Sequence, residues 1–341
     1  MQTDATRMDE KLARIRSGAY TPDDFIIADA KDADMGSGIT GLGPRPDGNG
    51  YWTREEFLDR IISIIEQDEV DIMLVSASLL DRLHKRGAFD GSAIKPAIRA
   101  NDTTDCWGGV RHGRYAHLPS VPFRTADLGM VMYGSRAVAE GRKVTGTDLG
   151  LYSMTFVNDL DRDLHALNEY ARFRAEAGAL GFRHFLEIFN PNVATGMTPA
   201  ETAEFVNDCI LRCLAGVTTA DRPEFLKMPF NGPRAMEELA SFDSELVVGV
   251  LGGGAGTTRD AFELISQAEK YGARLALFGR KINLAESQEQ MVSFLRRVVK
   301  REVTPQEAVR AYHSEIAKLG LEPQRPLEDD LLITEATLRD G

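Results

Sequence analysis

The chain of 341 residues is poor in cysteine, and its three, Cys106, Cys209 and Cys213, supply neither a CxxC metal pair nor a disulfide framework. Cys209 and Cys213 stand four apart in a helical pattern and read as small buried residues on one helix face. There is no HExxH among the six histidines, and the nearest pair, His112 and His117, has no close acidic cluster beside it. No apolar run approaches the roughly 18 residues of a membrane span. The opening MQTDATRMDEKLARIRSGAY mixes charges of both signs without an apolar core, unlike a signal peptide. A basic excess is missing as well: 40 Lys and Arg stand against 52 Asp and Glu, a net charge of −12. That balance excludes binding to nucleic acid through a phosphate-neutralising face, but leaves room for a small anionic substrate held by a few local groups. These absences together describe a reduced, cytoplasmic protein with no metal, no cofactor, no membrane and no nucleic-acid partner.

What is present is ordinary globular composition, 43% hydrophobic and 27% charged. Eight apolar runs bounded by turn signals read as strands: Phe25–Ala28, Val70–Val75, Ile94–Arg99, Leu149–Phe156, Phe182–Ile188, Glu224–Met228, Leu246–Leu251 and Ala273–Phe278. Several are continuous rather than alternating, as parallel strands covered on both faces require. Helices lie between them. Thr53-Arg-Glu-Glu56, Thr198-Pro-Ala-Glu201 and Thr304-Pro-Gln-Glu307 are capping boxes, the last two with proline at the first helical position. Asp159 caps a helix ending at Gly178, with Leu160, Leu164, Leu167 and Ala171 as its stripe; Thr257 or Thr258 opens another that Gly272 closes.

Eight strand-helix units in about 280 residues predict an α/β fold, a (β/α)8 TIM barrel. A doubly wound open sheet is the alternative, but DAKDADMGSGITGLG after the first strand lacks the GxGxxG spacing. The expected plan is an N-terminal helical segment at 1–20, a catalytic barrel at 21–320 and a tail at 321–341. The stretch 101–148 is too long for an ordinary connection and reads as an insertion over the barrel's C-terminal mouth.

Chemistry in such barrels sits at the C-terminal strand ends. The first strand delivers Asp29, Lys31 and Asp32, the third Arg99, Asn101 and Asp102, the fourth Tyr152, Met154 and Thr155, and the fifth Glu187, Phe189 and Asn190. Lys227, inside FLKMPF on the sixth, is the most informative. Desolvation there favours the neutral amine, which attacks carbonyls to give an iminium; pairing with a carboxylate is the plainer alternative. After the seventh strand, Gly252, Gly253 and Gly254 lead into a helix start, and the eighth ends in Gly279-Arg280. Open backbone and a guanidinium on those consecutive loops suit a phosphate.

On these residues the chain resembles the Schiff-base (class I) aldolases of the DeoC/LacD and archaeal-type fructose-bisphosphate aldolase superfamily. The likeness runs from FIIADAKDAD to about Leu295 and is clearest in FLEIFNP, FLKMPF and VVGVLGGGAGTTRDAFELISQAEKYGARLALFGRKI. It implies that Lys227 is the Schiff-base residue and that Gly252–Gly254 and Gly279-Arg280 bind substrate phosphate. Asp29 resembles the strand-1 acid, with Asp32 competing, and Glu187 the strand-5 glutamate. The family's strand-4 tyrosine is matched only loosely, because Tyr152 is close while Met154 or Thr155 aligns with its position. Lys31 and Arg99 join the expected binding groups, and Lys281 reads as solvated. The implied activity is carbon–carbon cleavage or formation on a small phosphorylated ketose or aldehyde by a homo-oligomer. An isomerase or transferase without an imine, or a non-catalytic sugar-phosphate binder, are the other readings.

Overall fold

The computed structural model of the protein describes residues 6–137, 141–253 and 256–339, excluding the side chains of 107–109. Each apolar run coincides with one parallel strand, the first strand running on to Lys31 and the fifth to Phe189. They are β1 Ile26–Lys31, β2 Ile72–Val75, β3 Lys95–Arg99, β4 Leu149–Thr155, β5 Arg183–Phe189, β6 Leu226–Lys227, β7 Gly249–Leu251 and β8 Leu275–Phe278. Neighbours in sequence pair in space, and β1 also pairs with β8, Ile26 facing Leu275. Between β6 and β7, Leu226 N–H donates to Val247 O at 2.9 Å and Leu251 N–H to Met228 O at 2.9 Å, closing the ring. The fold is the expected TIM barrel.

Because side chains alternate along a strand, each strand has an inward and an outward set. Ile26, Ala28 and Ala30 share the barrel interior with Leu149, Leu151, Phe185, Phe225 and Leu275. Ile27, Met73, Ile98, Tyr152, Leu186 and Phe278 belong to the larger core between barrel and helices. Both sets are apolar below the rim, so the strands read as continuous hydrophobic runs.

The helix Arg7–Arg16 shuts the barrel's N-terminal end, with Met8 and Leu12 joining the interior cluster. Its charges converge on Asp71, a fully buried carboxylate at the start of β2. Lys11 Nζ and Arg7 Nε lie 2.9 Å from one oxygen, Arg296 Nη2 2.8 Å from the other, and Ile27 N–H donates at 2.8 Å. Burial alone would raise the Asp71 pKa; Arg296 and Lys11 outweigh it and hold it below the ordinary value.

The three expected capping boxes form at Thr53, Thr198 and Thr304, and Thr257 caps the helix Thr258–Lys270 with another. The helix Leu160–Leu180 departs from expectation. It runs on to Gly181, and its buried face is Ala166, Tyr170, Phe173 and Ala177, leaving Leu160 75% exposed. The aromatic pair wins that face because Tyr170 and Phe173 pack their rings on Tyr152, with centroids 5.1 and 4.5 Å apart. Cys209 and Cys213 are partly buried against the core.

The described residues of 101–148 do two jobs. Asp102–Thr103 pairs with Pro122–Phe123 as a short antiparallel ribbon, and the short 3-10 helix Thr104–Gly109 packs on Ala33–Ser37 above β1. Asp105 accepts hydrogen bonds from Thr155 at 2.9 Å and Ser120 at 2.6 Å, fixing this cover to the end of β4. The helix Leu128–Tyr133 then packs against Leu160–Leu180, taking the place of the helix between β3 and β4. Among the described residues, no helix is long and apolar enough to cross a membrane.

Candidate active site

The inward positions change character at the C-terminal rim, from aliphatic to charged. Strand register places Ser153 beside Glu187, and Glu187 beside Lys227, in one row across β4, β5 and β6. Being register partners on one face, they touch. Lys227 Nζ lies 2.5 Å from Glu187 Oε1, and Ser153 Oγ donates to Glu187 Oε2 at 2.6 Å. Arg99, inward on β3, extends the row toward β1. Its Nη1 donates to Ser153 Oγ at 2.9 Å, its Nη2 lies 3.4 Å from Glu187, and its Nε meets Asp32 Oδ2 at 2.5 Å. Asp102 is a third carboxylate beside it, 3.7 Å from Nη1. Asn101 ties Ser153 down through both backbone groups, at 2.6 and 2.9 Å.

All of these side chains are buried, Lys227 being 6% exposed and Asp32 7%. Ion pairs at this depth are screened far less than surface ones. Asp32 stays below its ordinary pKa: burial opposes the charge, but Arg99 and Lys227 overcome it. Asp102 goes the other way. Burial outweighs Arg99, and Asp32 and Glu187 repel further charge, so its pKa rises to about 6. Two cations face three carboxyls here, and Asp102 holds its proton more easily than Asp32 does. Cys106 sits at the cover with its thiol pushed up to about 12, mainly by burial, which makes it a poor thiolate.

Several residues expected at the site lie elsewhere. Asp29 and Lys31 share the outward parity of β1, opposite to Asp32. They form a fully buried pair at 3.2 Å between barrel and helices, and Lys31 Nζ donates to Gln288 Oε1 at 2.7 Å. Burial raises the Asp29 pKa and lowers that of Lys31. Of the two acids, it is therefore Asp32 that faces the mouth. Tyr152 is outward as well, packed at a tilt against the rings of the helix layer, and the adjacent Ser153 holds the inward position on β4. Ser153 was missed in the sequence; a small hydroxyl between two larger residues gives no signal unless the strand's parity is known.

The glycines after β7 have steric reasons of their own. A Cβ at Gly252 would come 2.4 Å from the Phe278 ring, and Gly253 has φ +67°, a left-handed conformation. Gly254 lies outside the described residues. At the end of β8, a Cβ on Gly279 would meet Ala30 O at 3.2 Å; Arg280 is exposed. Lys281 is half-buried rather than solvated, and its Nζ donates to Gly256 O at 3.0 Å. Two cavities flank Gly256. One of about 110 Å³ brings together Arg280, Lys281 and Arg325. The other, about 220 Å³, reaches from Asn190 and Asn231 past Leu251, Gly252 and Gly253 to the C-terminal segment.

No protein-family model and no curated protein matches the chain. Solved structures do resemble it. An archaeal fructose 1,6-bisphosphate aldolase superposes with TM-score 0.59 at 14% identity, over 86% of this chain and 99% of that one. A Schiff base-forming fructose-1,6-bisphosphate aldolase gives 0.60 at 15%, covering 86% and 99%. A Corynebacterium glutamicum protein gives 0.58 at 17%, covering 87% and 98%. At these identities the likeness shows a shared TIM-barrel fold.

Proposed function

We propose that the protein is a class I aldolase that cleaves or forms a small phosphorylated ketose through an imine on Lys227. The observation that carries this reading is the position of Lys227: inward at the end of β6, almost dry, with its Nζ 2.5 Å from Glu187. Passing one proton from the ammonium to Glu187 leaves a neutral amine and a carboxylic acid. The amine adds to the substrate ketone, and Glu187 returns its proton as the carbinolamine loses water, giving an iminium. A base at the rim, Asp32 or Glu187, then takes the hydroxyl proton. The carbon–carbon bond breaks, its electron pair flows into the iminium, and an aldehyde leaves behind an enamine. Reprotonation and hydrolysis release the second product and free Lys227. Arg99 keeps Asp32 and Glu187 in place, and Gly279 and Arg280 hold the phosphate so that remote binding energy positions the reacting carbon.

The test is reduction with borohydride in the presence of a phosphorylated ketose. A stable adduct mass on Lys227, absent from Lys227→Met protein, is the expected result; turnover without any adduct sinks the imine. The same short contact to Glu187 supports a second reading, in which Lys227 stays an ammonium and supplies only charge to an isomerase or transferase.

A further inference from the structure

We propose that the C-terminal segment completes the substrate site, with Glu335 and Thr337 hydrogen-bonding hydroxyl groups at the substrate's unphosphorylated end. For the position of the reacting carbon this rests on the aldolase reading; the wall itself stands on its own geometry. The cavity of about 220 Å³ has barrel residues on one side, Asn190, Asn231 and Gly253 among them, and Glu335, Thr337 and Leu338 on the other.

That wall is built into the fold. Leu338 is 3% exposed in the main core, and Gln267 donates to its carbonyl at 2.8 Å. Thr334 N–H and Glu335 N–H both donate to Asp260 Oδ1, at 2.8 and 3.2 Å, and Thr257 Oγ1 donates to Leu332 O at 2.6 Å. Asp330 Oδ1 accepts the Thr258 N–H at 2.7 Å. A carboxylate of the segment therefore already stands at the N-terminus of helix Thr258–Lys270, where substrate phosphate would otherwise bind.

The chemistry of the lining names the ligand. Asp260 and Glu335 are acidic, and the facing cation, Lys281, is spent on Gly256 O. A second phosphate would meet like charge. Hydroxyl groups would not: they donate to Glu335 and exchange hydrogen bonds with the amides of Asn190 and Asn231. These two bond each other reciprocally at 2.8 and 2.9 Å, and each keeps one N–H and one carbonyl lone pair for a ligand. The preferred substrate is thus a ketose phosphorylated at one end only.

Calorimetric titration of Lys227→Met protein with fructose 1-phosphate and with fructose 1,6-bisphosphate tests this without turnover; Lys227→Gln replaces it if the methionine variant does not fold. The monophosphate should bind at least ~10-fold more tightly, the gap expected for a charge clash of about 1.4 kcal/mol. Glu335→Gln should narrow the ratio to within about threefold, Glu335→Lys should invert it, and Thr337→Val should weaken only the monophosphate. Both positions are exposed, so the substitutions leave the packing in place. Preference for the bisphosphate, a ratio untouched by the Glu335 variants, or no binding of either sugar overturns the proposal. Borohydride trapping of the parent protein reads the imine separately, so loss of the adduct with this preference intact would remove the aldolase reading alone.

Discussion

Replacing Glu187 with glutamine changes almost no volume but removes the group expected to exchange a proton with Lys227. Every neighbour of the carboxylate is a donor: Lys227 Nζ at 2.5 Å, Ser153 Oγ at 2.6 Å and Arg99 Nη2 at 3.4 Å. A glutamine carbonyl can serve only one side of that set. Whichever way the amide turns, its NH2 faces either the lysine or the Ser153–Arg99 side. One buried donor is left facing another, which costs about 1–3 kcal/mol of stability. Loss of general acid–base transfer should lower the rate of adduct formation by about 10²–10⁴, equivalent to roughly 3–5 kcal/mol of barrier. The assay follows adduct mass on Lys227 at a fixed time of ketose exposure before borohydride, with urea denaturation run in parallel. Glu187→Asp is the control, because it keeps the charge and withdraws it by one methylene; its rate should fall less. A Glu187→Gln protein that traps within about threefold of the parent refutes Glu187 as proton acceptor.

The β4 assignment separates cleanly by paired variants. Tyr152→Phe should leave trapping within twofold of the parent, because the phenol faces the helix layer, whereas Ser153→Ala should slow it by about tenfold through loss of the bond to Glu187. Asp102 makes a pH prediction. The unfolded carboxyl releases its proton near 3.8 and the folded one near 6, so between these values the native state binds the extra proton. Stability from this group therefore falls as pH rises across that window and is level above it. Asp102→Asn, which keeps an acceptor for Thr103 N–H, should match the parent near pH 4 and exceed it by about 3 kcal/mol at pH 7.5 in urea denaturation. An unchanged difference between the two pH values removes Asp102 as the protonated carboxyl. Finally, Gly252→Ala should destabilise by about 1–3 kcal/mol through its clash with Phe278, and Gly253→Ala by about 1 kcal/mol through its left-handed backbone alone. A phosphate-dependent effect on binding without loss of stability would instead put the glycines' role in ligand contact.

The barrel was legible because parallel strands buried on both faces leave continuous apolar runs that capping boxes and turns separate. The same property hid which side chain enters the mouth. In Ile26–Lys31 both faces are apolar up to residue 28, so nothing local says whether Asp29 or Asp32 points inward; three positions apart, they must point opposite ways. Tyr152 and Ser153 pose the same problem on β4. The tyrosine draws attention as a proton donor, yet a bulky aromatic is what the helix layer can absorb, beside Tyr170 and Phe173. Parity becomes readable once one inward residue is fixed and the register is followed across the sheet. Starting from Lys227, its partner is Glu187, and the partner of Glu187 is Ser153. Lys227 stood out as a cation in an apolar run and Glu187 as an acid at the end of the fifth strand that the family resemblance also marked, and the pairing of their strands makes each the other's counterion. The long-range ties were beyond local reading. Asp330 reaches the helix start at Thr258 across 72 positions, and only tertiary packing brings the C-terminal segment to the cavity beside the mouth. A motif can thus single out a candidate nucleophile, while the shape of the cavity beside it depends on contacts that leave no mark on neighbouring residues.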